Sequence, residues 1–212
     1  MAHKKPAVVF DFDGTIADSF DYVADFLISQ VSSDKRGDIN KDELKNMSML
    51  AMARELNFSN WRLPAIYLRG RRRMHQAILG LRPYAGIPEV LDQLSKDKHQ
   101  IFVLSSNNKK NIRAFLRANK LHDHFDKIYG GVGVFGKAPA MRRLLKEHRI
   151  AASDAVYIGD ELRDVEAAQY IGLPIIAVDW GFARPQDLID QKPTFIADSP
   201  KNLIKLINKI SK

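Results

Sequence analysis

The sequence predicts an α/β fold: an open parallel sheet with helices on both faces, carrying a small all-helical insertion after the first strand. Two observations lead to this class. After Pro83, short apolar runs alternate with segments of helical periodicity, and repeated strand–helix alternation is typical of a parallel sheet. Residues 32–81 contain no convincing strand, and the helical stretch after the first strand is too long for an ordinary strand–helix loop.

The predicted strands are short, apolar and rich in β-branched residues. The first, Ala7–Asp11 (AVVFD), ends at acidic residues and a glycine, as a buried parallel strand does. The others are Ile101–Ser105, Lys127–Tyr129, Ala155–Ile158, Pro174–Val178 and a short last strand at Thr194–Ile196.

The predicted helices follow from apolar spacing. The first begins at Phe20, and residues 32–81 are predicted as several short helices. Later helices are predicted at Pro88–Ser95, Lys110–Ala118, Pro139–His148, Asp164–Ile171 and Asn202–Ile210. The last is basic and amphipathic, and packing against the sheet is favoured over membrane contact. The predicted domains are therefore an α/β core, 1–17 and 83–212, and a helical cap, 18–82.

Composition narrows the function classes. The chain has 212 residues, 45% of them hydrophobic, which suits one globular domain with a smaller insert. It has no cysteine, which excludes disulfides, thiolate metal sites and a cysteine nucleophile. No apolar run reaches the roughly 18 residues of a spanning helix, and the N-terminus lacks the pattern of a signal peptide. We therefore expect a cytoplasmic protein without membrane partners.

The charge is basic and uneven. The chain carries 33 Lys and Arg against 25 Asp and Glu, a net charge of +8, which favours anionic partners. Residues 56–82 hold six arginines and no acid. That stretch is either a solvated basic helix face or an anion-binding surface, and composition does not decide between them.

Polar residues follow the predicted strands at the points where they end. In open α/β sheets, ligands bind outside the carboxyl ends of the strands, so residues far apart in sequence are expected to converge there. The residues concerned are Asp11, Asp13, Gly14 and Thr15 after the first strand, Ser105 and Asn107 after the second, Asp160 and Asp164 after AVYI, and Lys137 near a helix start.

Carboxylates gathered in this way would repel one another, and a hard cation resolves the conflict. An oxygen-only set without His or Cys fits Mg²⁺ and argues against zinc. Lys137 and the Ser105 hydroxyl complement an oxyanion, and backbone N–H groups around Gly14 add donors. Since a carboxylate beside a metal can attack phosphorus, the predicted chemistry is phosphoryl transfer.

The same residues resemble the haloacid dehalogenase (HAD) superfamily. Asp11–Thr15 (DFDGT) resembles its first motif, Ser105 its second, Lys137 its third and Gly159–Asp164 (GDELRD) its fourth. Val156–Phe182 looks like the phosphoglycolate phosphatase-like branch, which has a helical C1 cap between motifs one and two. The resemblance covers Ala7 to about Phe182 and implies a Rossmann-like sheet. One departure is that Lys137 is followed by Ala138 and Pro139, where relatives often have Lys-Pro-x-Pro.

The resemblance implies a role for each matched position. Asp11 would be the nucleophile and a Mg²⁺ ligand, and Asp13 the general acid and base, with its backbone carbonyl at the metal. Asp160 would bind Mg²⁺ directly, and Asp164 through a water or by orienting Lys137. The implied phosphate-binding residues are Gly14, Thr15, Ser105, Asn107 and Lys137, of which Ser105 and Lys137 are also catalytic.

An acid at position 13 favours phosphate-ester hydrolysis or a phosphomutase over dehalogenation, because a leaving alkoxide needs a proton. The predicted function is a Mg²⁺-dependent phosphatase of a small phosphorylated metabolite similar to phosphoglycolate. Arg69 and Arg73 are candidates for pairing with a substrate carboxylate or second phosphate. Two alternatives stay open: a phosphomutase, and a non-catalytic or nucleic-acid-binding protein on this fold. Nucleic acid is not favoured as a partner, and the expected state is a monomer or homodimer.

Overall fold

The structure is a computed structural model that describes residues 5–210 apart from 46, 48, 134 and 135. In this part of the chain six strands form one sheet, in the order β3-β2-β1-β4-β5-β6, and all neighbouring pairs are parallel. The strands are β1 (Ala7–Phe10), β2 (Ile101–Leu104), β3 (Lys127–Tyr129), β4 (Ala155–Gly159), β5 (Ile175–Val178) and β6 (Phe195–Ala197). The predicted fold class is confirmed.

β1 lies at the centre of the sheet, and this position explains why its sequence is continuously apolar. Val8 pairs with Ile101 of β2 on one side and with Val156 of β4 on the other. Successive side chains point to opposite faces of a strand, so Val8 and Val9 enter different hydrophobic clusters. Both faces are buried, and alternation with polar residues is therefore absent.

Helices cover both of these faces, as predicted. The helices are α1 (Phe20–Ser29), α2 (Met49–Glu55), α3 (Leu63–Ala77), α4 (Ile87–Lys96), α5 (Lys109–Ala118), α6 (Lys137–His148), α7 (Leu162–Tyr170), α8 (Pro185–Asp190) and α9 (Pro200–Ile210). α4, α5 and α9 contribute to one cluster, and α6, α7 and α8 to the other. Leu203 and Ile207 bury the apolar face of α9 in the first cluster. Within the described ranges, no helix has both the length and the apolar character needed to cross a membrane.

Between β1 and α4 the described residues form α1–α3 and three short 3-10 turns, Ser33–Asp38, Lys41–Leu44 and Asn60–Arg62. α1 packs on α2 and α3, and a Cβ on Gly70 would lie only 2.9 Å from the Phe26 ring. The segment that enters this region and the segment that leaves it lie side by side. Asp18 N–H donates to Arg82 O over 3.0 Å, and Tyr84 N–H donates to Ile16 O over 3.0 Å. The division into core and cap domains stays a prediction.

Candidate active site

The predicted site residues from the first and fourth motifs meet where the strand order reverses. β1 and β4 are neighbours, and the chain leaves each of them at the same edge of the sheet. Asp11 N–H donates to Ile158 O over 2.8 Å, which keeps the two strand ends in register. This crevice is where open α/β sheets bind ligands.

Asp11 is buried and held by two donors. Its Oδ1 accepts from the Phe12 N–H over 2.7 Å, and its Oδ2 accepts from Lys137 Nζ over 2.6 Å. Lys137, the first residue of α6, also donates to Asp164 Oδ1. Burial disfavours the charge of Lys137, but Asp11 and Asp164 outweigh that effect and raise its pKa. The ammonium therefore stays charged and orients both carboxylates.

Asp160 is completely buried at the end of β4. Thr15 Oγ1 donates to its Oδ1 over 2.7 Å, and the Phe182 N–H donates to its Oδ2 over 2.8 Å. The pKa of Asp160 lies well above its ordinary value because of burial, and then because of the charges of Glu161, Asp11 and Asp164. Thr15 thus contacts a carboxylate of the fourth motif, while its predicted contact with phosphoryl oxygens stays a prediction.

Asp164 lies in the first turn of α7. Its Oδ2 accepts from the Glu161 N–H over 3.2 Å, as half of a capping box in which Glu161 is the N-cap. Burial raises the pKa of Asp164 to about 6, although the Lys137 charge opposes this. Asp164 therefore stabilises a helix end and at the same time adds a negative charge to the site.

Asp11, Asp160 and Asp164 form a group that fits a metal ion. One carboxylate oxygen of each lies within 4.8 Å of the others, and all three are buried. The pKa values of Asp160 and Asp164 are raised first by burial and then by neighbouring carboxylates, and a cation would offset both effects. The backbone also approaches closely: a Cβ on Gly14 would lie 2.1 Å from Asp160 Oδ2. Three oxygen donors without His or Cys suit a hard cation.

The side chain of Asp13 does not belong to this carboxylate group and contacts the segment that follows β2. Its Oδ2 accepts from Asn107 Nδ2 over 2.9 Å, and its Oδ1 is buried without a hydrogen-bond partner among the described residues. Burial and then the Asp11 charge raise the pKa of Asp13 to about 7, against the effect of Asn107. A carboxyl group with such a pKa can hold or release a proton near neutral pH. The predicted contact of its backbone carbonyl with a metal stays a prediction.

Ser105 and Asn107 lie together at the end of β2. Ser105 is buried, its N–H donates to Tyr129 O over 2.9 Å, and its hydroxyl oxygen accepts from the Asn107 N–H over 3.1 Å. Asn107 is also buried and reaches Asp13 through its amide. The structure therefore brings the second motif beside the first.

Arg69 and Arg73 are exposed on α3. Arg73 lies close enough to Tyr22 of α1 to oppose the rise in the tyrosine pKa that burial produces. The Tyr22 hydroxyl is buried, with no hydrogen-bond partner in the described part of the chain. The structure places neither arginine against the carboxylates, and their role in specificity stays a prediction.

Sequence reasoning missed an ion pair beside the site. Arg163 Nε lies 2.7 Å from Glu161 Oε2, and Arg163 Nη2 donates to Glu161 Oε1 over 2.8 Å. Glu161 is buried, and its charge contributes to the raised pKa values of Asp160 and Asp164. The signal was present, because both charged residues lie within GDELRD.

An open cavity of about 310 Å³ separates the region of α2 from α7 and α8. Its lining includes Leu162, next to Glu161, and Ala183, whose N–H donates to Asp160 O over 3.3 Å. The remaining lining residues are Met47, Ala51, Glu55, Arg184 and Asp187. The cavity thus lies between the helical insertion and residues that adjoin Glu161 and Asp160.

Comparison with known proteins connects this geometry with phosphatases. Residues 8–178 match the family model of haloacid dehalogenase-like hydrolases. A phosphoglycolate phosphatase of Synechococcus elongatus is 30% identical over 207 residues, which cover 96% of this chain and 98% of the relative. A 5'-nucleotidase of Pseudomonas aeruginosa is 26% identical over 91% of each chain.

The fold also recurs among solved structures. The crystal structure of a protein described as a predicted phosphatase from Clostridium acetobutylicum superposes with a TM-score of 0.79 at 24% identity, covering 97% of this chain and 99% of the other. At this level of identity the similarity concerns the fold.

Proposed function

This chain belongs to the haloacid dehalogenase-like hydrolase family and is a phosphatase, and from that premise we propose that it hydrolyses a small phosphomonoester through an aspartyl-phosphate on Asp11. The proposed cofactor is Mg²⁺, and the proposed substrate class is phosphorylated acids similar to phosphoglycolate. The observation that carries the proposal is the contact of Lys137 Nζ with Asp11 Oδ2, 2.6 Å, beside a second carboxyl group, Asp13, whose pKa burial and the Asp11 charge raise to about 7.

The first step is attack by Asp11. Its Oδ1 and Oδ2 are oriented by the Phe12 N–H and the Lys137 ammonium, which favours a near-attack geometry. An Asp11 oxygen forms a bond to phosphorus while the ester P–O bond breaks. The leaving alkoxide takes a proton from Asp13, and Lys137 stabilises charge on the transferred group.

The second step returns the enzyme to its starting state. Asp13, now ionised, takes a proton from a water molecule that attacks phosphorus. The bond between Asp11 and phosphorus breaks, inorganic phosphate leaves, and Asp13 is again protonated. The raised pKa of Asp13 suits both halves of this cycle because the group must give and take a proton near neutral pH.

Asp11, Asp160 and Asp164 would hold the Mg²⁺ ion. When bound, the ion supplies positive charge that reduces repulsion between the carboxylates and the phosphoryl oxygens. Thr15 and Phe182 fix the orientation of Asp160 independently of any ion.

The helical region 18–82 is proposed to act as the cap that closes over the substrate and excludes water. Tyr22 and Arg73 support this role, because a buried hydroxyl without a partner lies near a guanidinium on the facing helix. Together with Arg69 they are the proposed contacts for a substrate carboxylate. A cytoplasmic location and a monomer or homodimer stay predictions.

The proposal is tested by phosphate release from a panel of esters, with Mg²⁺ or with EDTA. The panel contains phosphoglycolate, sugar phosphates, nucleoside monophosphates and a 3'-phosphorylated oligonucleotide. Nucleotides are included because one relative is named a 5'-nucleotidase. We expect Mg²⁺-dependent release, fastest with a small phosphorylated acid, and no release by Asp11→Asn.

Other outcomes favour the alternatives. Turnover that needs a bisphosphate and releases no phosphate would favour a phosphomutase. Folded protein that releases phosphate from no ester, yet binds the oligonucleotide in a salt-dependent way, would favour a nucleic-acid-binding protein.

A further inference from the structure

A chain of side-chain hydrogen bonds leads from Asp13 to the helical insertion. Asp13 Oδ2 accepts from Asn107 Nδ2 over 2.9 Å, and Asn107 Oδ1 accepts from Asn111 Nδ2 over 3.1 Å. Asn111 Oδ1 in turn lies 3.1 Å from His75 Nδ1. His75 belongs to α3, whereas Asn111 is the third residue of α5. Two buried amides thus connect a cap helix with the proposed acid.

A backbone N–H group sets the direction of every bond in this chain. The Asn108 N–H donates to Asn107 Oδ1 over 2.7 Å. A backbone N–H can only donate, so the Asn107 amide oxygen must face it and the amide nitrogen must face Asp13. Asn111 also approaches the Asn107 oxygen and must donate to it. That leaves Asn111 Oδ1 as an acceptor, and His75 must donate from Nδ1.

The surrounding backbone holds this arrangement in place. Asn108 is the N-cap of α5, and its side-chain oxygen accepts from the N–H groups of Lys110 and Asn111 over 2.7 and 3.1 Å. Asn111 is completely buried, where an unmet amide would be unfavourable. α3 packs against α5, so the donor from His75 is present only while these two helices are in contact.

We propose that Asn111 is a positioning residue for Asp13, and that His75 makes this positioning depend on the docking of α3 against α5. Asn111, together with the Asn108 N–H, holds the Asn107 amide so that its N–H₂ group, and not its oxygen, faces the Asp13 carboxyl. The inference rests on the proposed role of Asp13 as the acid that protonates the leaving group. A docked cap would thereby assemble the acid at the moment when it encloses the substrate.

The chain of hydrogen bonds from His75 through Asn111 and Asn107 to Asp13 is called the relay below. It is tested by a double-mutant cycle of His75→Ala and Asn111→Ala. The readout is kcat/KM for phosphoglycolate, an alkyl ester, and for 4-nitrophenyl phosphate, whose leaving group departs without a proton. We expect Asn111→Ala to lower kcat/KM about tenfold for the alkyl ester, a fraction of the roughly 10²–10⁴-fold effect of general acid catalysis. The value of kcat/KM for 4-nitrophenyl phosphate, the aryl ester, should fall much less.

The cycle separates a relay from two independent effects. His75→Ala should lower kcat/KM for the alkyl ester less than Asn111→Ala, and the double variant should be no worse than Asn111→Ala alone. Asn119→Ala is the matched control, because Asn119 ends the same helix and bonds backbone carbonyls away from Asp13. Asn119→Ala should leave the ratio of the kcat/KM values for the two esters unchanged. Losses that multiply, or that are equal for both esters, would overturn the relay.

A second measurement uses the unmodified protein. The ¹⁵N chemical shifts of the neutral His75 ring should show a proton on Nδ1, and the Nε2–H form would overturn the proposed direction of the bonds. This result does not depend on activity. Failure of the unmodified protein to release phosphate would overturn the proposed function. Losses in kcat/KM that multiply in the double variant of an active enzyme would overturn the relay alone.

Discussion

Thr15 and Asp160 are joined by a 2.7 Å hydrogen bond although they are 145 residues apart in the chain. The bond links the loop after β1 to the loop after β4 and orients one carboxylate oxygen of Asp160. The Phe182 N–H holds the other oxygen. Asp160 is thus fixed by groups from two separate loops, and its position depends on how closely those loops approach.

Gly14 is predicted to be indispensable to that approach. It has φ +77°, and an added Cβ would lie 2.1 Å from Asp160 Oδ2. Gly14→Ala should lower the free energy of unfolding and displace Asp160, so that phosphate release also falls. Urea unfolding and a phosphate-release assay on the same preparation measure both effects.

Gly172→Ala separates backbone strain from steric conflict. Gly172 also has a positive φ, +70°, but an added Cβ there would have no neighbour within 4 Å. We expect it to lose only about 1–2 kcal/mol of stability, the left-handed penalty alone, with activity intact. Equal losses of stability in the two variants would contradict the role given to Gly14.

Lys137→Met should be strongly destabilising. It would leave Asp11 and Asp164 buried without their shared cation, and breaking a buried ion pair from one side costs about 3–5 kcal/mol. Urea unfolding in metal-free buffer measures the loss. The double variant Lys137→Met, Asp11→Asn should recover part of it, because one of the two uncompensated charges is gone.

The surface pair between Lys127 and Glu147 provides the control. Both side chains are more than a third exposed, and such pairs contribute about 0–1 kcal/mol. If Lys137→Met lowers the free energy of unfolding no more than Lys127→Met does, the buried ammonium does not hold the site together.

Metal binding should be visible as thermal stabilisation. Mg²⁺ at 100 times its Kd is expected to add roughly 2.7 kcal/mol, and Tm rises by about 2–4 °C per kcal/mol in a chain of this size. Asp160→Asn should remove most of this shift, since it takes one charge from the carboxylate group. Asp123→Asn, in an exposed turn, should keep it. An undiminished shift in Asp160→Asn would place the ion elsewhere.

Stability at acidic pH should depend on His99. Burial lowers its pKa, against the effect of its 2.7 Å contact with Pro6 O. The unfolded chain therefore binds a proton more readily, and the free energy of unfolding falls as the pH drops below about 6.5. His99→Gln should lose less stability than the unmodified protein between pH 7.5 and 5.5. Identical pH dependence in the two proteins would contradict this contribution, since the site carboxylates are common to both.

The sheet was predictable because its signals are local. Ala7–Phe10 and Ile101–Leu104 are apolar runs that end at polar residues, and the rule that ligands bind at the carboxyl ends of strands places those polar residues together. The predicted strand ends differ from the observed ones by about one residue, because the final ladder bond depends on the neighbouring strand.

Helix starts, and contacts between residues far apart in the sequence, were harder to predict. α6 was expected to begin at Pro139 but begins at Lys137, because a proline is tolerated in the first turn, where N–H groups lack partners. α8 was not predicted, since its six residues bury only Leu188. The bond between His75 and Asn111 joins residues 36 positions apart, and a polar residue on a helix ordinarily predicts a solvent-facing position.

The central claim, covalent catalysis by Asp11, is tested most directly by trapping the phosphorylated enzyme. In Asp13→Asn, 4-nitrophenyl phosphate can still phosphorylate Asp11 because its leaving group needs no proton, whereas hydrolysis lacks its base. After an acid quench, peptide mapping by mass spectrometry should find one phosphoryl group on Asp11 and none in the double variant Asp11→Asn, Asp13→Asn. A phosphoryl group on another residue, or a trapped phosphoenzyme that persists in the double variant, would contradict the account.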